Sequence, residues 1–129
     1  MRELVYDTLR LDSGLELLGV PPGAYYSGDV DTPPERPFIN LRWGTTIPGQ
    51  GAVNVCDLVV WVHDRPGDFM RVDTVLMRIR TLLLGLAPAG RDGRWITCVE
   101  WSGDSGDLTD PGHETITRNA TFNIVGSGR

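Results

Sequence analysis

The chain has 129 residues, of which 40% are hydrophobic and 22% charged, with a formal net charge of −5. That is the length and balance of one globular domain, and it excludes a disordered or fibrous chain. The acidic balance excludes wholesale wrapping of nucleic acid, which needs a concentrated positive stripe.

All twelve positive charges are arginine and lysine is absent. The guanidinium fork suits bidentate pairing across protein interfaces better than an ammonium does. The opening Met1-Arg2-Glu3-Leu4-Val5-Tyr6-Asp7 contains no apolar signal core, and no apolar run is long enough to span a bilayer. The expectation is a soluble protein, intracellular at synthesis. Cys56 and Cys98 each fall in an apolar, strand-like run, which predicts two buried free thiols.

In chain order, residues 2–18 read as helix in two pieces. Leu4, Val5, Thr8 and Leu11 supply helical spacing, and Asp12-Ser13 offers an N-cap for a short turn with Leu15, Leu17 and Leu18. A proline-rich loop over 20–36 carries Asp29 and Asp31 near its tip. Phe38 to Trp43 alternates as a strand, and 44–51 reads as a hairpin connection. In the strand Val53 to His63, one parity holds Cys56, Leu58, Val60 and Val62; the other holds Val55, Asp57, Val59, Trp61 and His63. Both parities are largely apolar, so both faces are expected to be covered.

Asp64 is predicted to cap a helix over 66–84 with Pro66 in its first turn. Phe69, Val72, Leu76, Ile79 and Leu83 form its inward stripe. Trp95 to Trp101 is a further strand, residues 102–112 a Gly/Asp/Ser loop, and Thr115 to Val125 a cleanly alternating last strand with Arg118 among its apolar residues. The predicted fold is α+β, a single domain over 1–129: a four-stranded, mainly antiparallel sheet with two helices stacked on one face, in the order α-β-β-α-β-β.

The chemistry expected of an enzyme is missing from the sequence. Without lysine there is no phosphate-binding loop of the Gly-Lys-Ser/Thr type. Gly49-Gln50-Gly51 lacks a third glycine and precedes a strand, and His113-Glu114 lacks the second histidine of a zinc-protease helix. Two histidines and two buried cysteines make a poor four-ligand zinc set, so no metal or other cofactor is predicted. Asp104, Asp107 and Asp110 recur every third residue without the bidentate glutamate of a calcium loop. His63, Asp64 and Asp57 invite an acid–base reading, but Asp64 is better explained as a cap.

What remains is surface for partners. Trp61, Trp95 and Trp101 fall opposite the core parity, leaving an aromatic second face suited to subunit contact. Trp43, Trp61, Trp101, Arg42 and Arg118 are the predicted interface residues, with Arg118 pairing either an internal carboxylate or a neighbouring subunit. Asp29, Asp31, Asp104, Asp107 and Asp110 are the predicted loop contacts.

Taken together, several segments resemble the tail terminator proteins of long-tailed, non-contractile bacteriophages of the lambda type and their actinobacterial relatives. They are Leu4-Val5-Tyr6-Asp7-Thr8-Leu9, Arg36-Pro37-Phe38-Ile39, Asp57-Leu58-Val59-Val60-Trp61-Val62, and Asp107-Leu108-Thr109-Asp110 followed by Arg118-Asn119-Ala120-Thr121-Phe122-Asn123-Ile124. The resemblance covers nearly the whole chain and rests on the pattern of elements rather than on one motif. It implies a virion protein, made in the host cytoplasm, that forms a hexameric ring on the finished tail tube. Such a ring stops tube growth and docks the head connector, with DNA passing through its bore. It implies no catalytic residues. The partners implied are further copies of the chain, the tail tube protein and the head-side connector. The competing readings are another neck component, such as a stopper or tail-completion subunit, and a small metal-binding or hydrolytic module using Asp104, Asp107, Asp110 and His113.

Overall fold

Asp12 separates two short helices, α1 (Arg2–Arg10) and α2 (Ser13–Leu17), and its carboxylate accepts the Leu15 N–H at 2.9 Å. This satisfies one of the donors a helix start leaves open, as the Asp12-Ser13 pair predicts. On α1 the buried residues are Leu4, Val5 and Leu9, one apolar stripe. The computed structural model describes residues 2–27, 36–48, 53–86, 89–91 and 94–127; Asp29 and Asp31 lie outside them.

The strands are β1 (Tyr25–Ser27), β2 (Phe38–Pro48), β3 (Asn54–Asp64), β4 (Ala89–Arg91), β5 (Arg94–Asp104), β6 (Leu108–Asp110) and β7 (Thr115–Ser127). They form one seven-stranded sheet in the order β1-β2-β3-β7-β5-β4, with β6 paired to β7 off that path. This corrects the predicted four-stranded, two-helix arrangement. The four long strands do run antiparallel to their neighbours, but β1 joins β2 in parallel, so the sheet is mixed. The added strands have three residues each, too few for a period-two pattern to emerge from sequence. β6 lies inside the stretch whose Gly, Asp and Ser content reads as loop.

The third helix, α3 (Met70–Leu84), buries Val72, Val75, Leu76, Ile79 and Leu83. It starts later than predicted, because the chain bends at Pro66-Gly67, with Gly67 at φ 145, a region that favours glycine. Asp68 accepts the Met70 N–H at 2.7 Å. Asp64 is therefore no helix cap: it ends β3, takes the Arg65 N–H at 2.7 Å and binds Arg71.

Against α3 lie Cys56, Leu58, Val60 and Val62 of β3 and Ile116, Ala120, Phe122 and Ile124 of β7, all buried. Burial of each larger aliphatic side chain is worth about 1.5–3 kcal/mol, so this layer dominates folding. The opposite parity of β3 stays partly in water: Val55, Val59 and Trp61 are half-buried and Asp57 is exposed. The described helices contribute their buried residues to the first face.

Two irregularities interrupt the alternation of β5, and the first decides which face Trp101 occupies. Register shifts between Ile96 and Cys98 and between Trp101 and Gly103 each change which residue faces the helices. Cys98 is consequently opposite Val125 on the open face and only half-buried, contrary to the expected buried thiol, while Cys56 is buried as predicted. Trp101 pairs with Phe122 and lies on the helix side, where the Arg80 guanidinium stands 4.5 Å from its ring.

Candidate functional site

The sheet face turned away from the described helices takes alternate residues of β3 and β7, and a register shift in β2 between Trp43 and Thr46 brings Ile47 onto it together with Arg42. Arg42 opposes Val59, and Val59 opposes Thr121; Asn40, Trp61 and Asn119 form the next row; Val55 opposes Val125 and Ile47. Ile47 is 60% exposed and Trp95 is 55% exposed at the margins. Asn123 Nδ2 donates to Asp57 Oδ1 at 3.0 Å across the same face, so Asp57 is engaged far along the strand from His63. A surface of valine and tryptophan broken by amides and single charges has the composition of a protein–protein contact rather than of a catalytic cleft.

The predicted interface residues divide between the two faces. Trp61 and Arg42 belong to the open face. Trp43 opposes Leu58 on the helix side and lies 5.5 Å from the Arg2 guanidinium. Trp101 donates its indole N–H to Asp104 Oδ1 at 2.8 Å. Arg118 takes the internal option: Nε and Nη2 donate to the Ser105 carbonyl at 3.1 and 2.9 Å, and Nη1 donates to Asp73 of α3. The Asp73 hydrogen bond raises Arg118 above its usual range. Of the predicted loop contacts, Asp104 and Asp107 are exposed and Asp110 is half-buried.

At the far end of the open face the sheet is covered by the turn between β6 and β7, and here both histidines of the chain meet. Phe38 stacks on His63 with centroids 4.5 Å apart and planes 6° from parallel, and the two imidazole centroids are 5.2 Å apart. His63 Nδ1 is 2.8 Å from Thr115 Oγ1. His113 Nδ1 is 2.9 Å from Asp110 Oδ2, and its backbone N–H donates to Asp110 Oδ1 at 3.2 Å. Burial pushes His63 down to about 4, aided by His113 and Arg36 and opposed by Asp110. Burial pulls Asp110 upward, yet the His113 hydrogen bonds outweigh it and hold the carboxyl below its usual value. A shallow groove lined by Pro66, Asp110, Glu114 and Ile116 opens beside the cluster.

Asp110 thus leaves the expected aspartate triplet and joins the histidines; among the described residues neither Asp104 nor Asp107 belongs to a group that would hold a metal ion. Sequence reasoning grouped Asp110 with His113 but set His63 beside Asp64 and Asp57 instead of with them. The only local signal is a histidine at the end of an apolar strand, and that has many explanations. Among the described residues no helix is long and apolar enough to cross a membrane.

No protein-family profile and no curated protein matches this sequence. Its fold does match a solved structure: a chain in a "Virion of native gene transfer agent (GTA) particle" superposes with a TM-score of 0.73 and 19% identity, over 96% of this chain and 92% of that one. At that identity the likeness establishes a shared fold, from end to end of both chains.

Proposed function

We propose that this protein is a non-enzymatic structural component of a phage-like virion, which assembles as a ring on the end of the tail tube. The observation that carries the reading is the end-to-end fold likeness to a chain of a gene transfer agent virion. The open sheet face supports it independently, because a layer of Val55, Val59, Trp61 and Val125 leaves apolar surface for a neighbouring subunit to cover. In this reading copies of the chain, six by the resemblance to tail terminators, pack through that face with Arg42 and Trp61 at the contact. Trp43, Trp101 and Arg118 lie on the helix side, where they stiffen the subunit and meet the next one. Exposed Asp104 and Asp107, half-buried Asp110, and Asp29 and Asp31 are the contacts offered to the tube protein and the head-side connector. DNA passes through the bore without specific binding, which the net charge of −5 favours by repulsion.

The test is electron microscopy of particles assembled without the protein. Overlong tails are the expected result. Tails of normal length on heads that leak their DNA would reassign the protein to a stopper role. A purified chain that stays monomeric at high concentration and also fails to bind tail tubes would overturn the ring.

A further inference from the structure

We infer that His63, Asp110 and His113 form a three-ligand site for a divalent transition-metal ion of the zinc type. One ring nitrogen from each histidine and one carboxylate oxygen lie within 4.8 Å of one another, although the histidines are fifty residues apart in the chain. Two ligands bound to one ion at about 2.1 Å stand roughly 3.0–3.4 Å apart. The Asp110–His113 separation of 2.9 Å and the Asp110–His63 separation of 3.9 Å bracket that span. Closing the triad on one ion requires the β6–β7 turn to carry Asp110 and His113 closer to His63.

The surroundings are those of a supported site. The His63 ring is held in place by its stack on Phe38. Asp110 is oriented by the His113 N–H. Thr117, opposite His63 on β7, is buried with its hydroxyl unpartnered, so this wall holds a polar group that a metal-bound water can satisfy. Three protein ligands leave at least one coordination position for such a water.

The donor set chooses the metal. Arg36 is a neighbour, its Nη2 bonded to the His113 carbonyl at 2.8 Å, and its charge opposes any cation held by charge alone. Two imidazoles and one carboxylate suit zinc, cobalt or nickel, whereas calcium and magnesium require more oxygen ligands than are gathered here. The inference does not rest on the ring proposal, since it concerns the single chain.

The experiment uses the full chain stripped with chelator. Zinc titrated by calorimetry is expected to bind one ion per chain in the micromolar range or tighter, and cobalt to develop visible absorption from a nitrogen–oxygen site. His113→Ala and Asp110→Asn, checked for folding by circular dichroism, are each expected to weaken zinc binding by roughly tenfold or more. The double variant Asp104→Asn with Asp107→Asn is expected to bind as the parent does. Absence of saturable zinc binding, unchanged affinity in folded His113→Ala, or equal binding of calcium would each overturn the site.

Discussion

Arg78 of α3 grips Asp12 with two parallel bonds, Nε to Oδ2 at 3.0 Å and Nη2 to Oδ1 at 2.8 Å. The same Oδ2 accepts the Leu15 N–H, so one carboxylate caps α2 and fastens it to α3. The Arg78 bond, together with the backbone donors, holds Asp12 below its usual pKa despite burial. Gly14 fits because a Cβ there would come within 3.0 Å of Arg78 Nε.

Asp12→Ala is expected to destabilise the protein by about 1 kcal/mol through the cap alone, with a further loss from the pair. Asp12→Asn keeps a capping oxygen and should cost less. Since the folded carboxyl titrates below 3.8, its contribution is complete above that pH and disappears as the pH falls through the folded value. Urea denaturation of both variants at neutral and acidic pH checks this; equal stability of Asp12→Ala and the parent would refute the double role.

His63 sets the acid limb at milder pH. Its folded value near 4 lies below its ordinary 6.5, so between the two the unfolded chain binds a proton that the folded chain refuses. Stability should therefore fall as pH drops from 6.5 towards 4, by an amount on the order of 3 kcal/mol. The groups facing the ring are His113, Asp110 and Arg36. Denaturation across this window with chelator present should show the decline in the parent and a flattened curve in His63→Gln. A parent curve already flat there would contradict it.

Asp64 is 6% exposed at its side chain and receives Arg71 Nε at 2.7 Å, Arg71 Nη2 at 2.6 Å and the Arg65 N–H at 2.7 Å. Asp64→Ala leaves these donors unmatched and should cost roughly 2 kcal/mol. The figure stays below that of a fully buried pair because Arg71 keeps 42% of its side chain in water. Arg71→Lys should cost less but measurably, since an ammonium cannot reproduce the fork. Thermal unfolding distinguishes the two, and an Asp64→Ala protein as stable as the parent would refute the assignment.

Adjacent residues of β3 test the open face. Val60 is fully buried against the helices, and Val60→Glu should prevent folding. Val59 points the other way and is half-buried, so Val59→Glu should fold within about 1 kcal/mol of the parent but lose self-association and tube binding. Circular dichroism reports the first outcome and sedimentation the second. A Val59→Glu chain that still assembles would exclude this face from the subunit contact.

The amino-acid sequence by itself determined the local elements: the Asp12 cap, the stripe of Val72, Leu76, Ile79 and Leu83, and the four long strands, because caps and side-chain periods are written over a few consecutive residues. The apolar parity of Leu58, Val60 and Val62 was legible too, but the equally apolar run of Val55, Val59 and Trp61 implied cover on both faces, and only the structure puts the described helices on one. Tertiary structure alone decided the short strands β1, β4 and β6, whose backbone pairing comes from neighbours distant in the chain. It alone placed Trp101 on the helix side, since each register shift in β5 exchanges the faces of every residue beyond it. It alone joined His63 to Asp110 and His113, because a meeting across fifty residues depends on how β3 and β7 align, and no local spacing encodes that alignment.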